Sequence, residues 1–243
     1  MAASKIVFYD LPSKEPNHAW SLNTWRTRLV LNYKGLDYET KWLEYPEIKP
    51  ELQPHFPDKE EFTVPTIKLP DGTYIMDSKL IVAELEKRYP SPSLLINLDS
   101  PLYKRYIEQL APLFNDALRP IYILGVPTRL LKEVNHDYWH ESRAEWCGMP
   151  LEQYVRENSA EDAYKAAAPY MRSISALLRE NDTGPFFLGD TVSYIDFVHA
   201  GFLLMFRQLV DDIFQPLLEA SGDPEPHLKL LEALKPWTER DDY

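Results

Sequence analysis

The sequence predicts an α/β unit followed by an all-helical domain. Up to residue 90, strand-like apolar runs and helical spacing succeed one another in the order β-α-β and then β-β-α. After the linker-like Pro-Ser-Pro-Ser of residues 90–93, apolar residues recur at helical spacing only. A mixed sheet carries helices on its faces because both faces must be covered. We therefore expect an α/β domain at 1–90, a linker at 91–100 and a helical domain at 101–243.

The individual elements follow from local signals. Asp71-Gly72 is the strongest short signal for a hairpin, and Gly35 favours the end of the first helix. The acidic, proline-interrupted stretch 46–61 is predicted to be a loop that holds about one helical turn. The predicted strands are 5–9, 37–45, 62–69 and 73–77. The predicted helices are 24–33, 77–89, 101–123, 127–142, 160–181, 193–210 and 224–236.

Composition narrows the class of protein. The 243 residues are 44% hydrophobic and 26% charged, as in soluble globular proteins. A formal net charge of −12 argues against a nucleic-acid partner, whose phosphates need a basic surface. There is no secretory signal and no membrane-spanning run, so we expect a cytoplasmic protein without a membrane partner. No metal site is predicted.

The chain has a single cysteine, Cys147, which excludes an intramolecular disulfide and fits a reducing compartment. Cys147 is either a nucleophile or a small hydrophobic residue. It lies in the loop-like stretch EWCGMP, which offers no obvious base, and this favours the second interpretation.

A short polar run, Ser21, Asn23 and Thr24, interrupts two tryptophans in the stretch AWSLNTWRTR (19–28), where a helix is about to begin. These residue types can cap a helix, because their side chains accept hydrogen bonds from first-turn N–H groups. Alternatively, a hydroxyl lies at the positive end of the helix dipole, where an anion binds. The run by itself leaves both interpretations open.

Two further junctions carry chemistry. Pro65 interrupts a predicted strand in TVPT (63–66), so it belongs to an edge, a bulge or a cis turn. A cis bond would expose the backbone N–H and C=O of Val64 to an extended ligand peptide, whereas an edge proline would have no such role. Asp77 and Ser78 stand where a strand meets a helix. They are either plain caps or the start of a site for a carboxylate.

Together these segments resemble the cytosolic glutathione transferase family over nearly the whole chain. The matching segments are KIVFY, SLNTW, TVPTI, the hairpin, DSKLIVAELEKRY and the helical half. GDTVSYIDF (189–197) resembles the family's structural capping box, in which Ser193 and Asp196 cap a helix start. The stretch HAWSLNTWRTRLVLNYKGLDYET is most similar to the fungal etherase-related branch and to bacterial β-etherases.

The resemblance implies a thioredoxin-like N-terminal domain that binds glutathione as co-substrate, and a helical-bundle C-terminal domain that shapes the electrophile pocket. It places Ser21 at the catalytic hydroxyl position, with Tyr9 as the competing hydroxyl. Leu22 departs from the family, which often has proline after the catalytic residue. The resemblance also assigns the cysteinyl backbone of glutathione to Val64-Pro65 and the γ-glutamyl amine and carboxylate to Asp77 and Ser78. Further candidates for binding glutathione are Asn23, Lys49, His55 and Lys59.

The same resemblance implies a hydrophobic aromatic small molecule as second ligand and a homodimer as the assembly. Candidate pocket residues are Trp20, Tyr103, Tyr106 and Phe114, although aromatic residues at helical spacing usually pack in a core. Serine rather than cysteine favours conjugation or thiolate displacement, including β-aryl ether cleavage, over disulfide exchange. A non-catalytic carrier of bulky aromatics and a regulatory protein that only keeps the fold are the alternatives.

Overall fold

The computed structural model describes residues 5–94 and 99–242, so residues 95–98 of the predicted linker and the outermost ends of both predicted domains lie outside the described residues. The first 90 residues build a four-stranded mixed sheet in the order β2-β1-β3-β4. Its strands are β1 (Ile6–Asp10), β2 (Tyr38–Trp42), β3 (Thr66–Lys68) and β4 (Tyr74–Met76). The helices in this half are α1 (Leu22–Tyr33), α2 (Tyr45–Leu52) and α3 (Ser78–Arg88).

Strand β1 lies in the middle of the sheet and organises it. It pairs in parallel with β2, with Phe8 opposite Thr40, and antiparallel with β3, with Phe8 opposite Ile67. A parallel pair needs a crossover connection, which α1 supplies. Strands β3 and β4 pair antiparallel across the turn at Asp71-Gly72, so the predicted hairpin is confirmed. Gly72 adopts φ +88°, a conformation that glycine takes without steric penalty.

A fully buried ion pair joins α1 to the central strand. Arg28 Nη2 lies 2.9 Å from Asp10 Oδ2, and neither side chain is exposed to solvent. The same nitrogen also donates to Thr40 Oγ1 on β2, and the guanidinium lies 5.0 Å from the centre of the Phe8 ring. Asp10 Oδ1 accepts the backbone N–H of Leu11. These contacts fix the orientation of α1 against β1 and β2.

The prediction for residues 46–61, a loop with about one helical turn, is wrong for the first half of this segment. Helix α2 occupies Tyr45–Leu52 and continues into a 3₁₀ turn at Gln53–His55. Glu44 and Glu47 form a capping box, in which Glu47 Oε2 accepts the N–H of Glu44 at 2.8 Å. Pro46 stands in the first turn, where its missing N–H is not needed, so proline starts this helix rather than preventing it.

Three strands are shorter than predicted, and β4 loses one residue at each end. Strand β2 ends at Trp42 instead of residue 45, since α2 begins at Tyr45. Strand β3 begins at Thr66 instead of residue 62. Proline has no N–H for a strand ladder, and Pro65 therefore stands before β3 and not inside it.

The second half of the chain is helical, so the expected combination of an α/β unit with a helical bundle is confirmed. Its first helix runs without a break from α4 (Pro101–Tyr103) through a π-helical segment (Lys104–Leu110) into α5 (Ala111–Ala117). The others are α6 (Arg119–Arg129), α7 (His136–Cys147), α8 (Leu151–Glu157), α9 (Ala160–Arg179), α10 (Tyr194–Gln208), α11 (Asp211–Ala220) and α12 (Glu225–Thr238). No helix in the described part of the chain has the length and apolarity to cross a membrane.

The helices predicted at 101–123 and 127–142 have different bounds in the structure. The chain bends at Leu118, and α6 then runs to Arg129 before a short 3₁₀ turn leads into α7. Pro120 explains the new start, because proline favours the first turn of a helix. Helices α8 and α11 were not predicted, since each has at most ten residues and too few turns to show a clear period.

Helix α10 is the centre of the helical half and also meets α1. All its residues from Tyr194 to Phe206 are buried, as expected for a helix that is apolar all round. Gly201 lies where α10 crosses the first turn of α1. A Cβ atom there would lie 2.6 Å from the carbonyl oxygen of Leu22. Glycine therefore allows the close approach that holds the start of α1 against the helical domain.

Candidate functional site

A cavity of ≈ 410 Å³ lies between the start of α1, the start of α3 and the helical domain. Six residues singled out in the sequence line it: Trp20, Ser21, Asn23, Asp77, Ser78 and Tyr103. They come from segments far apart in the chain, namely the start of α1 with the two residues before it, the junction of β4 with α3, and α4. The fold thus brings the polar run at Ser21 and the junction at Asp77 and Ser78 into the same cavity.

Ser21 stands at the N-cap position of α1 and is 8% exposed. Its carbonyl oxygen accepts the N–H of Trp25 at 2.9 Å and the hydroxyl of Thr24 at 3.1 Å. Its own hydroxyl makes no capping hydrogen bond and bonds to no other described residue. The capping interpretation of Ser21 therefore does not describe its side chain, which lies at the positive end of the helix dipole with its hydrogen-bonding capacity unused.

Asp77 caps α3 and is also open to the cavity. Its Oδ1 accepts the N–H of Lys79 at 2.8 Å, while the residue as a whole is exposed. The backbone has φ +86°, which is unusual outside glycine and is tolerated best by Asp and Asn. Ser78 follows as the first residue of α3. Asp77 Oδ1 also accepts the N–H of Leu80 at 3.4 Å, so the N–H of Ser78 is the first-turn donor left for an anion.

Val64 and Pro65 adjoin this junction without lining the cavity. The Val64–Pro65 peptide bond is cis. The carbonyl oxygen of Pro65 accepts the N–H of Asp77 at 3.2 Å. The backbone N–H and C=O of Val64 have no hydrogen-bond partner within residues 5–94 and 99–242. A donor and an acceptor are thus left for a ligand beside Asp77.

The remaining candidates for binding glutathione, Lys49, His55 and Lys59, are exposed and lie outside the cavity lining. The His55 ring stacks on Tyr74 with 3.8 Å between ring centres. The Tyr9 ring also contacts Tyr74. Tyr9 lies on one face of β1, and Arg28 packs against Phe8 on the other face. Burial, followed by the hydrogen bond to Tyr74, raises the pKa of Tyr9. The competing hydroxyl is therefore a buried, un-ionised phenol away from the cavity.

Two of the four predicted pocket aromatics belong to the core instead. Tyr106 is fully buried, and its hydroxyl is hydrogen-bonded to His199 Nδ1 at 2.9 Å. Phe114 is equally buried and packs edge-on against Phe202. Both lie on the inner side of their helices, where the hydrophobic effect places large rings. The other two predicted pocket aromatics, Trp20 and Tyr103, both line the cavity.

The cavity also contains residues that the sequence analysis missed. Arg26 follows Ser21 by five residues on α1, and no separate signal marks it. Trp139, Arg143 and Trp146 project from α7 at a spacing of four and three residues, which is one face of a helix. The spacing of these residues could have indicated this face, but the predicted helix ends at residue 142 and so contains only Trp139. Cys147 ends α7, and its pKa is raised by burial, so it has none of the features of an activated thiol.

The predicted capping box is present at the start of α10 and is structural. Asp196 Oδ2 accepts both the N–H and the hydroxyl of Ser193 at 2.7 Å. Its other oxygen accepts the N–H of Phe187 at 2.9 Å. Tyr194, next to Ser193, lines the cavity, so the box fixes one part of the cavity wall.

The fold and the cavity define a class of protein with a thioredoxin-like domain, a helical domain and a ligand site between them. A family model described as glutathione S-transferase, N-terminal domain, matches residues 20–88, and one described as glutathione S-transferase, C-terminal domain, matches residues 102–237. The chain belongs to the glutathione S-transferase family.

Individual relatives support this membership. The chain is 26% identical over 238 residues to the glutathione S-transferase-like protein ustS of Aspergillus flavus, covering 89% of this chain and 85% of that protein. A glutathione S-transferase of Ceriporiopsis subvermispora, crystallised in complex with glutathione, is 27% identical, with a TM-score of 0.84 over 96% of this chain and 98% of that one. A glutathione transferase of Phanerochaete chrysosporium is 26% identical, with a TM-score of 0.83 over 97% and 98%.

Proposed function

We propose that this protein is a glutathione transferase in which the Ser21 hydroxyl donates a hydrogen bond to the thiolate of glutathione. The observation that carries the proposal is the free Ser21 hydroxyl at the start of α1, inside a cavity that also contains Asp77 and Ser78. A hydroxyl at a helix N-terminus stabilises an anion through both its hydrogen bond and the dipole.

Glutathione itself fits the groups beside Ser21. The carboxylate of Asp77 pairs with the α-amine of the γ-glutamyl residue, and the first turn of α3 at Ser78 binds its carboxylate. The free N–H and C=O of Val64 pair with the cysteinyl backbone. Lys49, His55 and Lys59 stay candidates for the glycyl carboxylate.

Activation of the thiol supplies only a small part of the rate. A free thiol with a pKa of about 8.5 is about 3% ionised at neutral pH, and lowering the pKa by roughly two units raises the thiolate about 25-fold. Because nucleophilicity falls with pKa, about a threefold advantage remains. The larger contribution comes from holding the electrophile against the sulfur. The aromatic wall formed by the helical domain is therefore what selects the reaction.

Serine at this position favours substitution over disulfide exchange, because a hydroxyl cannot form a mixed disulfide. In conjugation, the thiolate forms a C–S bond with an electrophilic carbon and a leaving group departs. In β-aryl ether cleavage, the carbon lies next to a carbonyl, the C–O bond breaks, and the phenolate leaves and takes a proton from solvent. The aromatic lining supports aryl substrates of either kind.

A non-catalytic carrier is the second candidate, because the same aromatic wall also suits binding without turnover. Initial rates with 1-chloro-2,4-dinitrobenzene and with a β-aryl ether, measured with and without glutathione, test the two functions. We expect glutathione-dependent turnover that falls about threefold in Ser21→Ala, which is the advantage that thiol activation leaves. Tight binding of both aryl compounds without turnover would favour the carrier. Failure to bind immobilised glutathione would leave only a regulatory protein that keeps the fold.

We further propose that the protein works in the cytoplasm as a homodimer. The α/β domain of one subunit would pack on the helical domain of the other. The family resemblance motivates this arrangement, and no disulfide is available to staple the single subunit, since the chain has one cysteine.

A further inference from the structure

The charge of the cavity is opposite to that of the protein. The chain has a formal net charge of −12, but its cavity is lined by three cationic side chains, Arg26, Lys79 and Arg143, and by one carboxylate, Asp77. Neither arginine belongs to an ion pair with any described residue, and the Nε atom of each is buried without a hydrogen-bond partner. Both side chains are half-buried, and an N–H that is buried without a partner is unfavourable unless a ligand or a water molecule completes it.

Arg143 is held so that its hydrogen-bonding edge stays available. The guanidinium carbon lies 4.2 Å from the centre of the Trp139 ring and 4.3 Å from that of the Trp146 ring. Stacking of this kind uses the faces of the planar group and leaves its N–H rim for hydrogen bonds. Part of the rim is occupied, because Nη1 donates to Ser142 Oγ at 2.9 Å and the guanidinium donates to the Tyr45 hydroxyl, whereas Nε is left for a further partner. Trp146 is 61% exposed, which is a high value for a tryptophan, so its ring is available for contact with a ligand.

Trp20 connects this cluster to Ser21. The Trp20 ring lies 6.5 Å from the Trp139 ring in an edge-on contact, and both rings line the cavity. Starting from Ser21, the wall therefore offers first an aromatic ring, then a second, and then the guanidinium of Arg143. Asp77 and Ser78 at the start of α3 are assigned to the γ-glutamyl charges of glutathione. Lys49, His55 and Lys59 are the candidates for its glycyl carboxylate, so the proposed binding mode of glutathione does not use Arg143.

We infer that the α7 side of the cavity is a subsite for an aromatic anion, whose carboxylate or phenolate binds the rim of Arg143 while its ring packs on Trp146. Trp20 and Trp139, which are 2% and 3% exposed, support this wall from behind. The inference rests on the proposed function, because it concerns the second ligand of the same cavity. It narrows that ligand from any hydrophobic aromatic to a planar aromatic that carries a negative oxygen at one end. The reacting carbon then lies at the other end, near Ser21.

Calorimetric titration with naphthalene-2-carboxylate and naphthalene-2-carboxamide tests the subsite, because the two probes share shape and differ in charge. We expect the wild type to bind the carboxylate at least tenfold more tightly. Arg143→Gln should reduce this preference to below about twofold, and Arg143→Lys, which keeps the charge but not the planar fork, should retain part of it. Arg172→Gln on the exposed surface of α9 is the matched control and should keep the full preference.

Equal affinity of the wild type for the two probes would overturn the inference, and so would a preference that survives in Arg143→Gln. Circular dichroism and the affinity for glutathione, measured on each variant, separate a lost subsite from a lost fold. Loss of glutathione binding with the carboxylate preference intact would contradict the proposed function alone. Intact glutathione binding without any carboxylate preference would contradict the subsite alone.

Discussion

Replacing Asp77 with asparagine separates its two roles, capping α3 and binding the amine of glutathione. In the structure, Oδ1 of Asp77 accepts the N–H of Lys79 at 2.8 Å, and the backbone has φ +86°. Asparagine caps helices about as well as aspartate and tolerates positive φ. The substitution therefore keeps the cap and the backbone while it removes the charge.

Asp77→Asn should change the stability of the protein only slightly and its affinity for glutathione strongly. Loss of the carboxylate from the positive end of α3 lowers the free energy of unfolding by less than about 1 kcal/mol. Loss of a charged hydrogen bond to the ammonium group of glutathione weakens binding by about 1.5–3 kcal/mol, which is about 10- to 150-fold. Asp77→Ala, in contrast, should lower both, because it removes the cap and places alanine at positive φ, at about 1–3 kcal/mol for the backbone alone.

Calorimetric titration with glutathione measures the loss of affinity, and urea denaturation measures the change in the free energy of unfolding. The account requires the two variants to differ in stability and to share the loss of affinity. An unchanged affinity for glutathione in folded Asp77→Asn would show that Asp77 is a cap and no ligand of the amine.

Three further predictions follow from the fold. Arg28→Ala leaves Asp10 buried without its partner and should lower the free energy of unfolding by about 3–5 kcal/mol in urea denaturation, whereas the exposed control Arg172→Ala should change it by less than about 0.5 kcal/mol. Burial lowers the pKa of His227 to about 4. The unfolded state then binds more protons between about pH 4 and 6.5, so stability falls as the pH drops through that window, by up to about 3 kcal/mol from this group. His227→Gln should remove that contribution together with the part of the lowered His199 pKa that His227 causes, because the two rings are hydrogen-bonded. Comparing its stability with the wild type at each pH separates the histidine pair from Asp196, whose pKa burial raises to about 6 and whose effect has the opposite sign in both proteins. Finally, sedimentation at micromolar concentration should give a dimer, and a species near the 28.4 kDa of one chain would contradict the proposed assembly.

The overall architecture and the polar half of the site could be read from the sequence because their signals are local. The hairpin at Asp71-Gly72 and the polar residues at Ser21 and Asp77 stand at element boundaries, where a few neighbouring residues decide the backbone. The resemblance to a family then connected boundaries that are distant in the chain. Helix α2 was missed because Pro46 was taken as a helix breaker, although proline in a first turn is favourable.

The aromatic half of the site could not be read because it depends on how helices pack. Tyr103 and Tyr106 are three residues apart on one helix, yet only the first lines the cavity and the second is bonded to His199 in the core. A spacing of three residues predicts one face of an α-helix for both, and it does not show that a π-helical segment begins at Lys104 or which part of that face a neighbouring helix covers. The same holds for Ser21. A helix cap and an anion-binding hydroxyl both place serine at the start of α1, and they differ only in the direction of the side-chain hydroxyl.

The pKa of the thiol of bound glutathione tests the central claim most directly. It can be followed through the ultraviolet absorbance of the thiolate in the wild type, in Ser21→Ala and in the control Tyr9→Phe. The account predicts a pKa roughly two units below the free value of about 8.5 in the wild type and in Tyr9→Phe, and a return towards the free value in Ser21→Ala with glutathione still bound. A pKa that stays low in Ser21→Ala, or that rises only in Tyr9→Phe, would contradict the role of Ser21.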